Sequence, residues 1–335
     1  MELLLKIATV LTELFVLALG LGVMFVIAMY VVDRTQTRHS LRRNFPVLAR
    51  FRYLFEKLGE FFRQYFFAMD REELPFNRAE RSWVYRAAKG ADTTVAFGST
   101  RDLRPTGTVL FVNCPYPTLE RDALKPQPMS IGPHAQRPFI TTSFFNISGM
   151  SYGAISRPAV EALSKGAAKA GIWLNTGEGG LSPAHLEGGA YIVFQIGTAN
   201  YGVRDASGNL EEAKLAAVAA KEQVRMFEIK LSQGAKPGKG GILPGAKVSG
   251  EIARIRAIAE GEDSISPNRN PAIDSAEDLL DAIARVRRVT GKPVGFKAVI
   301  GACGWLDELC LLIKQRGPEH GPDFITIDSA DGGTG

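Results

Sequence analysis

The hydrophobic rhythm of this chain of 335 residues changes several times. From Leu14 to Val32 it has no period: LFVLALGLGVMFVIAMYVV is 19 residues without a charge. At 1.5 Å per residue a helix of that length spans roughly 28 Å, close to a bilayer core. The run is longer than a signal-peptide core, and no A-x-A-like cleavage site follows it. Arg34, Arg38, Arg42 and Arg43 follow the run, whereas Lys6 is accompanied by Glu2 and Glu13 before it. The positive-inside rule then places the C-terminal side in the cytoplasm. The expectation is a single-pass anchor over residues 1–33 in the inner (cytoplasmic) membrane, with Leu3 to Thr12 able to extend the same helix. A buried globular helix is the competing interpretation.

From Arg42 to Phe67 the period becomes helical. Phe51, Leu54, Leu58, Phe61, Phe62 and Tyr65 recur at helix spacing with Arg and Lys between them. Two placements fit this pattern: an amphipathic helix on the anionic inner leaflet, or a helix packed on the domain that follows. Residues 71–135 are mixed and rich in Pro and Arg, with TVAFGS and TVLFVN as short strands. Residues 34–135 therefore form a membrane-proximal basic and aromatic stretch and a cap segment.

From Pro138 onward, strand and helix patterns alternate. FITTSFFNIS, IWLN, YIVFQIG, MFEIKLS, PVGFKAVIG and DFITIDS have strand character. RPAVEALSKGAAKAG begins with Pro and ends with Gly, as helices do. NLEEAKLAAVAAKEQVR and WLDELCLLIKQRG are helical, and SAEDLLDAIARVRRVTG is a helix capped by Ser275. Such alternation predicts an α/β fold with a parallel sheet. The unusual residues all follow strands, in SGMSYGAIS, NTGEGG, SQGAKPGKGG, GACG and DGGTG. Sites at the same end of every strand are the organisation of a (β/α)8 TIM barrel, whereas a doubly wound sheet concentrates its site at one switch point. About six βα units are readable over residues 136–335, and the sequence stops at Gly335 inside a Gly-rich loop. The expectation is an incomplete barrel.

Composition changes little in this picture. An apolar fraction of 45% is ordinary for a globular chain, and a formal charge of +5 does not point to nucleic acid. Three cysteines, Cys114, Cys303 and Cys310, make no disulfide framework. Cys303 and Cys310 are two helical turns apart and are expected as small buried residues rather than metal ligands.

The candidate chemistry centres on EIKLSQGAKPGKGGILPGAK, Glu228 to Lys247. Its glycines permit close backbone approach and its prolines stiffen the loop. Lys236, exposed in that loop, suits a carboxylate or anionic oxygen, and Gln233 is placed to hydrogen-bond the same ligand. Lys230 and Lys297 sit inside strands otherwise read as buried, where a charge is costly unless it is paired or faces a ligand. Either suits the electron-rich edge of a reduced flavin. Glu178, in GEGG, suits pairing with a lysine or orienting an amine. Gly332 and Gly333 belong to a loop of the kind that approaches a phosphate or a flat cofactor, although a plain tight turn explains it equally well.

KLSQGAKPGKGGILPGAKVS, with SGMSYGAIS, NTGEGG and ITIDSADGGTG in order, resembles the FMN-binding synthase domain of glutamate synthases. The closest likeness is to the branch of glutamate synthase-related proteins with an N-terminal membrane segment. The resemblance implies a (β/α)8 barrel with FMN and a [3Fe-4S] cluster. It also implies condensation of ammonia, or an amine, with 2-oxoglutarate and reduction of the imine to glutamate, with electrons from a donor the sequence does not name. On the same ground Gln233 and Lys236 hold a 2-oxoglutarate carboxylate, and Glu178 is an active-site acid. Arg256 reaches the substrate, and Ser148, Gly149, Met150, Ser151 and Lys297 line the flavin. The pattern departs from the fullest family match at Lys239, where Glu is usual, and at PNRNPA (Pro267 to Ala272), where paired His are usual. Cys303 and Cys310 precede DGGTG, whereas the family's cluster cysteines follow it. The competing expectation is a non-catalytic barrel fragment or a membrane-tethered interaction subunit.

Overall fold

The computed structural model describes the chain except Ala68, Pro75, Thr93, Val95, Phe97, Gly98, Phe111, Asn113, Lys236, Pro237 and residues 331–335. It divides into two compact units, Met1–Phe111 and Val112–Gly335.

The first unit is helical among its described residues. Helix α1 (Glu2–Thr35) contains the whole uncharged run and the segment before it. It is long and apolar enough to cross a membrane, and its apolar window is unburied. Helices α2 (Ser40–Asn44) and α3 (Leu48–Phe62) follow. They are separated by Phe45–Val47, where Val47 takes a left-handed φ of 64°. Helix α4 (Arg78–Ala88) starts on a reciprocal capping box between Asn77 and Glu80 and buries none of its residues. The described residues of TVAFGS (Thr94, Ala96, Ser99) and TVLFVN (Thr108–Leu110, Val112) lie outside any strand, and the rest of these two expected strands falls outside the described residues.

In the second unit β1 (Met129–Ile131) and β2 (Phe139–Thr141) make a short antiparallel pair. The main sheet is built from β3 (Trp173–Asn175), β4 (Tyr191–Ile196), β5 (Val224–Lys230), β8 (Val294–Ala298) and β9 (Ile325–Ile327). These strands are all parallel and lie in simple sequential order, β3-β4-β5-β8-β9. A doubly wound sheet reverses its order at a switch point, and this sheet does not. It is a curled half-barrel. Strands β6 (Ile242–Leu243) and β7 (Ser264–Ile265) pair separately within the long excursion between β5 and β8. The stretch FITTSFFNIS is not one strand. After β2 it leaves the ladder and returns as a single bridge from Ile147 to Leu174.

Strand residues alternate between two faces. Leu174, Ile192, Phe194, Phe227, Ile229 and Phe296 join the larger core, with Leu215 of α7 (Glu212–Ala219), Leu279 and Ile283 of α9 (Ala276–Thr290) and Leu309 of α10 (Gly304–Arg316). Across the sheet, Val193 and Met226 pack with Ile131 and Phe139 at the end where the strands begin. The chain's polar strand residues lie further along that same face. Helix α5 (Arg157–Ala170) ends on a left-handed Gly171, the short α6 (Pro183–Glu187) lies between β3 and β4, and α9 starts on Ser275, which accepts from the Asp278 N–H. Helix α7 is shorter than its sequence pattern. The buried Lys292 donates to the carbonyls of Ala219 (2.6 Å), Lys221 (3.1 Å) and Val224, taking up acceptors at that end.

Cys303 stands at the N-cap of α10 and Cys310 within it, and both are exposed, as is Cys114. Seven-residue spacing puts the two on one helix face, as expected. That face is the outer one, so the expectation that they are buried is corrected.

Candidate functional site

The site forms where the parallel strands end. Alternation along β5 turns Met226, Glu228 and Lys230 to the inner face of the sheet, and Lys230 stands in register with Lys297 of β8. Both lysines are buried or nearly so, which demands partners. Lys230 Nζ donates to Glu178 Oε2 at 3.0 Å and to Gln233 Oε1 at 3.1 Å. The ion pair is largely screened from water, with side-chain exposures of 5% for Lys230 and 13% for Glu178. Lys297 pairs instead with Asp328, after β9, at 3.4 Å.

Glu178 lies in a short 3-10 turn, Gly177–Gly179, just beyond β3. Its Oε2 also accepts from Ser266 Oγ at 3.3 Å, and that hydroxyl accepts from the Gly241 N–H at 2.9 Å. Two glycines fix this arrangement. Gly177 has φ +63°, and a Cβ there would stand 2.6 Å from the Ser151 nitrogen. A Cβ on Gly241 would overlap Glu178 Oε1. The glycine-rich loop after β5 is therefore pressed against the carboxylate it surrounds. Gln233 spans that loop, donating from Nε2 to the Lys239 carbonyl at 3.1 Å while its Oε1 meets Lys230. Gly234 donates to Asp328 Oδ2 at 3.0 Å, so Asp328 ties the loop to the β8 lysine.

Arg256 ends helix α8 (Gly250–Arg256) and lies behind the Glu178 turn. It is buried, donates to Ser264 Oγ at 2.8 Å and the Tyr152 carbonyl at 3.0 Å, and stacks on the Tyr201 ring. Its Nε has no hydrogen-bond partner. Burial lowers its pKa from the usual arginine value, opposed by Tyr201 and Glu178. Of the loop Ser148–Ser151, Ser148 is exposed, Gly149 and Met150 are half-buried and Ser151 is buried against Gly177.

The structure thus joins Glu178, Lys230 and Gln233 directly. It sets Lys297 on the neighbouring strand and Arg256 behind the same turn. Lys236, Gly332 and Gly333 lie outside the described residues.

One polar centre escaped the sequence argument. Glu228 is buried on the inner face. Its Oε1 accepts from Asn175 Nδ2 (3.0 Å) and Gln195 Nε2 (2.6 Å), and its Oε2 from Thr326 Oγ1 (2.5 Å). One carboxylate therefore joins four strands. Its two-residue spacing from Lys230 was the available signal, because both had to share a face.

Residues 118–335 match the family described as the conserved region in glutamate synthase. The chain belongs to the glutamate synthase family. The glutamate synthase large subunit-like protein YerD of Bacillus subtilis is 38% identical over 345 residues, covering 91% of this chain and 65% of the relative. The archaeal-type glutamate synthase [NADPH] of Dehalococcoides mccartyi is 36% identical over 188 residues, or 56% of this chain and 34% of the relative. The archaeal glutamate synthase [NADPH] of Archaeoglobus fulgidus is 38% identical over 192 residues, with the same two shares. This glutamate synthase family chain thus spans about two thirds of YerD and about one third of the archaeal-type relatives.

The cofactors common to the family can be set against these residues. An ammonium has three N–H donors. Lys230 uses two and Lys297 faces Asp328 as an ion pair, leaving donors at the strand ends, and the Ser148–Met150 loop leaves the sheet at that same end. These groups fit an anionic or electron-rich ring edge such as that of FMN. An iron–sulfur cluster does not fit the described residues. They hold no cluster of three His, Cys, Asp or Glu side chains able to take a metal, and the three cysteines are exposed.

Proposed function

We propose that this chain belongs to a glutamate synthase-type, FMN-dependent oxidoreductase that aminates 2-oxoglutarate to glutamate, with its site on this half-barrel of (β/α)8 TIM type. We further propose that α1 anchors it in the inner membrane with the barrel on the cytoplasmic side. The observation that carries the enzymatic reading is the Glu178–Lys230–Gln233 constellation at the strands' C-terminal ends, in a chain of this family.

The chemistry has two parts. Ammonia adds to the ketone carbon of 2-oxoglutarate and water leaves, giving an imine; a hydride and a proton then complete glutamate. FMN, when bound and already reduced by an electron donor, would supply the hydride and be left oxidised. The chain's own residues bind and orient. Lys230 and Lys297 present ammonium donors to anionic oxygens, as point charges rather than forks. Glu178, held by Lys230 and Ser266, is a fixed carboxylate able to accept a proton from the incoming nitrogen. Gln233 and Lys236 are the proposed clamp for a substrate carboxylate. Arg256 is assigned a part in holding the Glu178 turn and adding positive potential behind it. Ser148, Gly149, Met150, Ser151, Gly332 and Gly333 are proposed to line the cofactor.

The test uses the protein carrying this half-barrel, purified in detergent. Flavin fluorescence is titrated, and anaerobically reduced flavin is then mixed with 2-oxoglutarate and either ammonium or methylamine. Reoxidation that needs both the keto acid and a nitrogen donor is expected, and the two donors separate glutamate from an N-alkyl product. Absence of flavin binding overturns the assignment.

A further inference from the structure

The first unit carries a helix whose apolar side is outward. On a wheel of about 100° per residue, Leu48, Phe51, Leu54, Phe55, Leu58 and Phe62 of α3 fall within an arc of about 120°. All six are exposed, Phe55 to 65% and Leu48 to 68%. The opposite arc meets the rest of the unit only near the start of the helix, and its Glu56 and Glu60 are exposed. Ala49 is the buried residue of the helix, and Arg42 lies over the Tyr53 ring at 5.2 Å. A globular helix shows the reverse pattern.

The end of α1 is joined to α3. Asp33, the last acid of α1, is buried and accepts a forked pair of bonds from Arg50, with Nη2 to Oδ1 at 2.8 Å and Nε to Oδ2 at 2.8 Å. The Val47 N–H donates to the same carboxylate at 3.1 Å. A forked, charge-assisted pair resists rearrangement. It fixes the start of α3 to the end of α1. If α1 crosses a bilayer, that end is at the bilayer surface.

Charge and space favour the same partner. Arg34, Arg43, Arg52, Lys57 and Arg63 stand around this junction and helix, while Glu56 and Glu60 fall on the arc opposite the apolar one. A cleft of about 730 Å³ opens on the apolar side, lined in part by Phe55, Leu58, Phe62 and Leu74, with Arg63, Glu72 and Glu73 among its walls. The apolar arc, with Arg34, Arg43, Arg52, Lys57 and Arg63 around it, matches the boundary between acyl chains and anionic headgroups.

We propose that α3 is an interfacial helix that lays its Leu48–Phe51–Phe55–Phe62 face into the headgroup and acyl boundary of an anionic bilayer. The Asp33–Arg50 clasp holds its start at the exit of α1. This rests on the proposal that α1 spans the membrane, and the test separates the two.

The full chain, with C114S, C303S and C310S, is reconstituted in nanodiscs containing phosphatidylglycerol. Nitroxide is attached at Phe25→Cys in α1, Phe55→Cys on the apolar arc, or Glu56→Cys on the polar arc. Collision with oxygen and with a water-soluble nickel chelate is then compared. The expected oxygen-to-nickel preference is highest at 25, intermediate at 55 and lowest at 56. Equal water exposure at 55 and 56 with a bilayer signal at 25 overturns the interfacial helix and leaves the anchor standing. Water exposure at 25 overturns the anchor. A label at 55 shielded from both reagents shows burial against protein, from this chain or a second copy, and also overturns the proposal.

Discussion

The two units carry similar residues on opposite sides. In Val112–Gly335, Phe194, Phe227 and Phe296 are fully buried between the sheet and its helices. In Met1–Phe111, Phe51, Phe55, Phe62 and nearly the whole of α1 are exposed. The hydrophobic effect acts on both alike, so the difference lies in the surroundings each unit is built for. One supplies its own apolar interior, and the other leaves its apolar surface for something outside itself. The same contrast holds for charge. The second unit has the buried pair of Lys230 with Glu178 near its strand ends, whereas the first has one buried acid, Asp33, at the end of its long helix.

The largest expected effect tests that contrast directly. Phe227→Ala, at a residue with no exposure, should cost about 3–5 kcal/mol of folding stability. Phe55→Ala, at 65% exposure, should change stability in detergent by no more than about 0.5 kcal/mol. Denaturant midpoints of the two variants measure the difference. Comparable losses would show that the first unit has a core of its own in solution.

Much of the second unit was legible because its strands are β-branched and aromatic runs between turn residues. Five of six expected strands form at their expected places. The sixth, FITTSFFNIS, forms a strand only over Phe139–Thr141, for a local reason. The Ser143 N–H bonds to Thr141 Oγ1 at 3.3 Å and the Phe145 N–H to Ser143 Oγ at 3.1 Å, side-chain turns that take the backbone out of the ladder. Spacing placed Cys303 and Cys310 on one face but held no information about which face meets solvent. In the site, Lys230 was legible because a charge in a strand needs a reason. Glu228 was not, because its partners Asn175, Gln195 and Thr326 come from three other strands, and only the folded sheet brings them together.

The next effect concerns the buried pair. Lys230→Met leaves Glu178 a nearly buried carboxylate without its cation, which should cost about 3–5 kcal/mol. Adding Glu178→Gln should restore most of the loss, since a neutral pair has no stranded charge. Midpoints of the single and double variants give the coupling. Additive losses would mean that the pair does not act as one unit.

His185 gives the second unit an acid limit. Its Nδ1 accepts from the Ser182 N–H at 3.1 Å inside the fold, and burial lowers its pKa to about 4. The unfolded chain has an ordinary histidine near 6.5, so between pH 6.5 and 4 it binds more protons than the folded one. Stability should therefore fall by about 3 kcal/mol as pH drops through that window, with no further loss from this group below it. His185→Gln should flatten that part of the pH profile. An unchanged profile would place the acid sensitivity elsewhere.

The smallest effect compares two helix caps. Ser275 caps α9, which buries six residues including Leu279, Leu280 and Ile283. Asn77 caps α4, which buries none. Each cap satisfies a backbone N–H that has no partner inside its helix, and replacing either by Ala should cost about 1 kcal/mol of local helix stability. The consequence should differ because the helices are coupled differently. Fraying α9 disturbs the side chains that cover the sheet, so Ser275→Ala should speed hydrogen exchange across β5 and β8 and lower the midpoint of the second unit. Fraying α4 disturbs no buried residue, so Asn77→Ala should speed exchange within α4 alone. If Asn77→Ala also lowers protection in the β5 and β8 amides, the difference expected between the two caps is lost.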